Sequence, residues 1–360
     1  MGKVCDAAQL QHEKIGVHRG AQAGFLRNPH AGAQWFPSAG LGLFVHFGIS
    51  AVHAGIDLSW GMIAQKPWEL SMGVDYTISP AEYFALAKRF RPERYEPQSW
   101  LQAAADAGFQ YAVFTTRHHD GYALWPSRFG NFHTGIHSGG IDLVQPFVAA
   151  CRKCGLKVGL YYSPPDWYYN REYMSFHYDT FQMDGDYTQV SGTIYGVEHT
   201  PVTLKPKPDG WDASYRQYVR GQVQELLTQY GKVDLLWFDG GSDVSGAISI
   251  EEIRELQPGI VVNPRMHGQG DFETYECRMP DKRPDGWWEH EDIWADGPWW
   301  GYMHQATDYK TAAWFIERYR QVLAWGGNFL VNVAPKADGS MPEVVYQRLD
   351  EVKTLLRAGQ

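Results

Sequence analysis

Asp239 follows four apolar residues in the run "LLWFDGG", which spans residues 235–241. An unpaired buried carboxylate is costly, so a residue in this place needs a partner or a task. Side chains alternate along a strand, which puts Trp237 and Asp239 on one face and Phe238 on the other. A carboxylate beside an aromatic wall suits a sugar site, where flat rings stack on the apolar faces of the ring. The competing structural role for Asp239 is a cap on the next helix or a salt bridge across a sheet rim.

Other polar residues fall at comparable places. His46 lies near the end of "GLFVHFG", His118 and His119 near the end of "YAVFTTRHHDG", and Arg265 closes "GIVVNPR". A neutral imidazole offers one donor and one acceptor, which suits a polyhydroxylated ligand. "RHHDG" and the downstream "WEHED" (residues 288–292) also contain metal-ligand residue types. Adjacent residues on a continuing strand point to opposite sides, which makes His118 and His119 a poor chelating pair. "VHFG" also lacks the HxH spacing that would aim two imidazoles inward, so neither a metal nor a cofactor is expected. Glycoside cleavage needs a second carboxylate as general acid. Glu273, Glu276, Glu289 and Glu291 are candidates, and spacing alone does not choose among them.

These residues need elements that gather strand ends at one place. Apolar strand-like runs alternate with amphipathic helix-like runs from Gly42 to the end. Examples are "KVGLYYS" followed by "DASYRQYVRGQVQELLTQYG", and "NFLVNVAP" followed by "PEVVYQRLDEVKTLLRAG". Near-continuous apolar strands separated by helices imply a parallel sheet covered by helices. No GxGxxG follows the first strand, which favours a (β/α)8-type TIM-like barrel over a doubly wound sheet. In that fold the active site sits at the C-terminal ends of the strands, where these polar residues fall. The pattern places no strand between 271 and 293, and residues 164–208 read as a long loop or insertion. Residues 1–34 are expected as an N-terminal extension packing on the barrel, and 35–360 as the catalytic barrel.

Composition narrows the function classes. Net charge is -9 and Lys and Arg are scattered, which excludes a basic stripe for nucleic acid or an anionic membrane. Fifteen Trp and 21 Tyr exceed the needs of the core; flat aromatic faces often stack on sugars, but aromatics also simply fill cores, and composition alone does not choose the sugar. The beginning lacks an apolar signal region and no run approaches a membrane span, so a cytoplasmic location is expected. Four cysteines, with "CRKC" unmatched by a second CxxC, read as reduced thiols rather than a zinc site.

"GLFVHFG", "TTRHHDGYALW", "GLKVGLYYS", "LLWFDGG", "VVNPR", "DFETYE" and "GGNFLVNVAPKADGSMP" then resemble, in the same order, the retaining α-L-fucosidases of glycoside hydrolase family 29. The resemblance runs over about residues 35–355. It implies Asp239 as nucleophile and Glu276 as acid/base. It implies His46, Trp60, His118, His119, Tyr161, Trp237 and Arg265 as sugar contacts, and an oligosaccharide or glycoconjugate with a terminal L-sugar as substrate. The family's C-terminal β-sandwich is expected to have no counterpart. Departures are "HFG" for His–Trp–Gly, Arg117 for Lys, Tyr122 for Phe, and Ser59 before Trp60 where the family supplies a carboxylate. Ser59 leaves open an enzyme for a related L-sugar, such as an α-L-glucoside or α-L-galactoside; an inert sugar-binding barrel is the remaining alternative. Nothing in the sequence sets the oligomeric state.

Overall fold

The computed structural model describes residues 2–18, 25–182 and 190–358, with side chains from residue 7 onward. Eight parallel strands form one sheet: β1 (Leu41–Val45), β2 (Tyr111–Arg117), β3 (Lys157–Tyr162), β4 (Leu235–Phe238), β5 (Val261–Val262), β6 (Phe272–Glu276), β7 (Trp287–Ile293) and β8 (Asn328–Val333). Their order, β5-β4-β3-β2-β1-β8-β7-β6, is that of a nearly closed barrel with its seam between β5 and β6. The (β/α)8-type reading of the sequence therefore holds.

Alternation along the strands builds two cores. Leu235, Trp237, Phe44, Tyr111, Val113, Tyr161, Val261, Phe272 and Leu330 fill the barrel interior. Leu236, Phe238, Leu43, Val45 and Phe114 face outward into the layer beneath the helices. Trp237 and Phe238 thus point to opposite sides, as strand geometry requires.

Helix α1 (Gly2–Lys14) precedes the barrel. Around it lie α2 (Pro80–Ala85), α3 (Pro97–Asp106), α4 (Val144–Lys153), α5 (Trp211–Gln229), α6 (Ile250–Leu256), α7 (Ala312–Ala324) and α8 (Glu343–Ala358). Single-turn helices Pro67–Leu70 and Thr134–His137 sit in the connections. Among the described residues no helix follows β5 or β6. Without a helix between them, and with β6 mostly half-buried, β6 and β7 lose the apolar rhythm that reveals the other strands. The 164–208 stretch carries two isolated bridges to or within it, Ala64 with His177 and Tyr195 with Pro201, and residues 183–189 lie outside the described set. Cys151 is buried and Cys154 half-buried, neither in a disulfide, and the side chain of Cys5 lies outside the described residues. No helix among the described residues is long and apolar enough to cross a membrane.

The seam is held by one buried carboxylate. Asp271 accepts from Val262 N at 2.8 Å, from Asn28 N at 2.5 Å and from Arg254 Nη2 at 3.2 Å. Its own N–H donates to Val262 O at 2.8 Å. Asn28 in turn donates through Nδ2 to Pro258 O and Ile260 O at 2.7 and 2.8 Å. The N-terminal segment and α6 therefore clamp β5 to β6 where no strand ladder does. Removing one partner of such a buried cluster leaves the others unpaired. Asp271→Ala is expected to cost about 3–5 kcal/mol in urea unfolding; a loss below about 0.5 kcal/mol, the range of ordinary surface substitutions, would contradict this clamp.

Candidate active site

The chain leaves β4 at Phe238, so Asp239 is the first residue beyond the strand, on the inward side at the barrel mouth. Its Oδ2 accepts from the Tyr161 hydroxyl at 2.7 Å and its Oδ1 from Arg265 Nη1 at 2.9 Å. The buried carboxylate is therefore partnered. Arg265 is itself 2% exposed, lies 4.4 Å over the Trp237 ring, and donates from Nε to Thr274 Oγ1 at 3.1 Å. Its other terminal nitrogen, Nη2, donates to Glu276 Oε2 at 2.8 Å. One guanidinium thus holds two carboxylates from two strand ends, with the planar fork that suits arginine to such work.

The structure separates the four candidate acids. Glu276 and Glu291 line the same cavity as Asp239. Glu289 lies below it, accepting from the Tyr111 hydroxyl and from Trp237 Nε1 at 3.0 Å. Glu273 accepts from the Tyr275 hydroxyl, on the face of β6 opposite Phe272 and Thr274. Burial raises Glu291 well above the usual carboxylate range, with Arg265 opposing and Glu289 and Glu276 adding to the rise. Burial also opposes ionisation of Glu276, but His12 and Arg265 outweigh it and hold that carboxyl well below its ordinary range.

The three imidazoles expected at the site stand together. Burial pushes His46 down to about 4 and holds His118 and His119 well below the ordinary value, so all three are neutral near pH 7. Asn332 Nδ2 donates to Trp300 O at 2.8 Å, leaving its Oδ1 to accept from His46 Nδ1 at 2.7 Å. Ser163 Oγ donates to Pro165 O at 3.1 Å and accepts from His119 Nδ1 at 2.6 Å. These networks assign the proton of each ring to Nδ1 and leave Nε2 as an acceptor; that of His119 stands 3.7 Å from Asp239 Oδ2. Arg117 fixes the supporting loop from behind. It pairs with Asp166 at 3.1 Å, donates to the Ser163 and Pro164 carbonyls, and stacks on Tyr162 at 4.2 Å. Ser59 is fully buried: its hydroxyl lies 2.6 Å from His118 Nδ1 and accepts from Asp120 N at 2.7 Å. It positions His118 rather than lining the cavity.

The expectation about His118 and His119 needs correction. The β2–β3 register shifts between Thr115 and Arg117, and β2 ends at Arg117. Strand alternation no longer applies beyond that point, and the two rings lie 4.1 Å apart. Among the described residues, His118, His119 and Asp239 bring ligand-type atoms within 4.8 Å of one another. Chelation there would compete with Tyr161 and Arg265, which already bond both Asp239 oxygens. In "WEHED", Glu289 and Glu291 point inward, while His290 meets the Tyr275 carbonyl and Asp292 meets Lys310.

One cavity collects all nine expected residues: His46, Trp60, His118, His119, Tyr161, Trp237, Asp239, Arg265 and Glu276. It also collects Gln11, His12, Ile15, Phe44, Glu291 and Trp300. Phe44 was readable as the inward residue two before His46; Trp300 lay in the aromatic-rich "GPWWGY" without a strand to place it. Gln11, His12 and Ile15 come from α1 and the turn after it, a polar segment with no core rhythm to mark it. They reach the site because the chain after Asp239 is two glycines. Gly240 and Gly241 have φ of +76° and +85°, and a Cβ on Gly240 would stand 2.2 Å from Ile15 O. Only glycine adopts that conformation readily and admits that approach. Gly241 N and Ser242 N then donate to Ile15 O and Gly16 O, each at 3.0 Å. So docked, α1 sets His12 Nε2 2.7 Å from Glu276 Oε2.

The family described as α-L-fucosidase matches residues 25–359. The chain is 26% identical over 341 residues to the tissue α-L-fucosidase of Bos taurus, covering 88% of this chain and 65% of that one. It therefore spans just under two thirds of that relative's length. Among solved structures, α-L-fucosidase isoenzyme 1 from Paenibacillus thiaminolyticus superposes with a TM-score of 0.74 at 29% identity, covering 91% of this chain and 76% of that one. A GH29 α-L-fucosidase from Bacteroides thetaiotaomicron, trapped as a covalent intermediate with 2-fluoro-fucosyl fluoride, gives 0.72 at 25% identity, covering 96% and 78%.

His12 and Arg265 together depress Glu276, so removing one of them should let burial raise it. His12→Gln keeps a donor and drops the cationic form. Its Glu276 carboxyl carbon, assigned against Glu276→Gln and followed by NMR, is expected to titrate at higher pH than in the unmodified protein. An unchanged or lower midpoint would show that His12 does not set this charge.

Proposed function

The chain belongs to the α-L-fucosidase family, glycoside hydrolase family 29, and on that premise we propose that it is a retaining exo-glycosidase that hydrolyses terminal α-L-fucosides. The observation that carries this reading is Arg265 holding Asp239 and Glu276 together at the floor of an aromatic, histidine-lined cavity. Two carboxylates flanking one bond are the requirement of glycoside cleavage. A shared guanidinium favours the separation of about 5–5.5 Å of a retaining pair over the about 6.5–9.5 Å of an inverting one.

In this reading Asp239 attacks the anomeric carbon while the C–O bond to the leaving group breaks. Glu276 protonates the departing oxygen, an assistance worth about 10²–10⁴-fold in such reactions. Asp239 is then esterified to the sugar. Glu276, now anionic, takes a proton from water, and that water releases the sugar with its configuration retained. Tyr161 and Arg265 orient the Asp239 oxygens before attack. His46, His118 and His119 would read the hydroxyls of the sugar, each as a neutral ring. Phe44, Trp237 and Trp300 supply apolar surface for the C5 methyl and the sugar face, with Phe44 5.2 Å from Trp237 and 6.1 Å from Trp300. The substrate would be an oligosaccharide or glycoconjugate ending in L-fucose.

Ser59 bears on the choice of sugar. With its hydroxyl spent on His118 and Asp120, the family's carboxylate contact at this place is missing, while the imidazoles and Trp60 remain. A site that hydrogen-bonds a hydroxyl rejects the analogue that cannot make the bond by about 10⁴–10⁵, whereas an apolar pocket rejects an added hydroxyl by only about 10². The 4-nitrophenyl α-L-fucoside is therefore expected to exceed its α-L-glucoside counterpart, the C4 epimer with an added C6 hydroxyl, by at least about 10²-fold in kcat/KM. The α-L-galactoside should be a poor but detectable substrate. A preference for the glucoside or the galactoside would replace fucose as the sugar.

A further inference from the structure

Glu291 is a third carboxyl in the cavity, one that the mechanism above leaves without a task. It is fully buried, and among the described residues neither of its oxygens has a hydrogen-bond donor. It is also the direct neighbour of Glu276: the two are paired in register across β6 and β7, so their side chains leave the sheet side by side. Arg265 Nη2 serves both, at 2.8 Å from Glu276 Oε2 and 3.7 Å from Glu291 Oε2.

The groups around Glu291 decide where one shared proton sits. On β6 stands Glu276, tied to Arg265 and to His12 of α1. On its own strand, two residues earlier, Glu289 accepts from Tyr111 and Trp237. On the other side β8 presents Leu330 as its register partner. Asp239 lies across Arg265. Glu276 accepts bonds that hold it as the anion; Glu289 accepts bonds too, yet burial still raises it to about 7; and Glu291, raised further, accepts none among the described residues. Two carboxyls this close and this buried do not both ionise readily, so the proton stays on the one without donors.

A general acid has to be protonated before the reaction, yet Glu276 rests as the anion. We propose that Glu291 holds the proton that Glu276 delivers, acting as a positioning residue and proton reserve for the acid/base. The inference rests on the fucosidase reading. When substrate binds, the proton passes from the Glu291 carboxyl to Glu276 Oε2, and Arg265 still faces one negative charge between the two. Glu276 gives it to the glycosidic oxygen as the C–O bond breaks and Asp239 bonds the anomeric carbon. In the second half Glu276 takes a proton from the attacking water, the ester to Asp239 breaks, and the proton returns to Glu291. The inventory of protons closes over one turnover.

Glu291→Gln tests this, because the amide keeps the size and neutrality of the resting side chain but cannot release a proton. Aryl α-L-fucosides with good and poor leaving groups are compared across pH. The expected loss in kcat/KM is about 10- to 100-fold for poor leaving groups, within the range of general acid help, and less than about 3-fold for activated ones. The fall of kcat/KM at alkaline pH should also move to lower pH, because the proton then has only Glu276 to rest on, and His12 and Arg265 hold that carboxyl low. Glu291→Asp, which keeps a proton, should retain most of the turnover of poor leaving groups. Unmodified rates and an unmoved alkaline limb in a folded Glu291→Gln protein would overturn the inference, as would equal losses for both leaving groups. If Glu291→Gln does not fold, a Glu291→Asp protein as impaired on poor leaving groups as Glu276→Gln overturns it. Absence of α-L-fucoside hydrolysis in the unmodified enzyme would instead sink the parent reading.

Discussion

The site depends on the placement of one positive charge. Arg265 is buried at the barrel mouth among Asp239, Glu276 and Glu291, three carboxyls from three strand ends. Taking that many ionisable groups out of water is costly unless they are mutually paired. Arg265 meets the cost for two of them directly and lies near the third. Its own plane is set by Trp237 beneath it and Thr274 beside it. A lysine could not reproduce that arrangement, since a point charge has no fork with which to bond two carboxylates at once.

Around this centre the barrel supplies rigidity and the loops supply reach. Arg117 packs outside the barrel wall, yet it governs the site by fixing Ser163, which holds His119. Ser59 does the same for His118. The imidazoles are thereby locked through their Nδ1 atoms, which frees the opposite nitrogens for a ligand. The N-terminal helix enters the site only because Gly240 and Gly241 let Ile15 approach the β4 turn. That helix then biases the charge of Glu276 through His12.

Much of this was legible because parallel strands end where chemistry is done. Asp239, His46, His118, His119 and Arg265 stand out as polar residues terminating apolar runs, and each lines the cavity. What escaped has physical reasons. Among the described residues β6 and β7 have no helix between them, and their sequences, "FETYE" and "WWEHEDI", are largely polar, so they lack the apolar run that marks a strand buried on both faces. Glu291 could be named as a candidate acid but not ranked, because its register with Glu276 belongs to the strand pairing and not to the sequence. His12 lies 264 residues from its partner on a polar helix. The reading of His118 and His119 as opposed failed because a register shift ends the strand just before them.

The central claim is that Asp239 forms a bond to the sugar while Arg265 and Tyr161 hold its oxygens. Incubation with 2-deoxy-2-fluoro-α-L-fucosyl fluoride, followed by intact mass measurement and peptide mapping, tests it most directly. The account predicts one added fluorofucosyl group per chain, mapped to Asp239, and no label in Asp239→Asn. A label on Glu276 or Glu291, or labelling undiminished in Asp239→Asn, would contradict it.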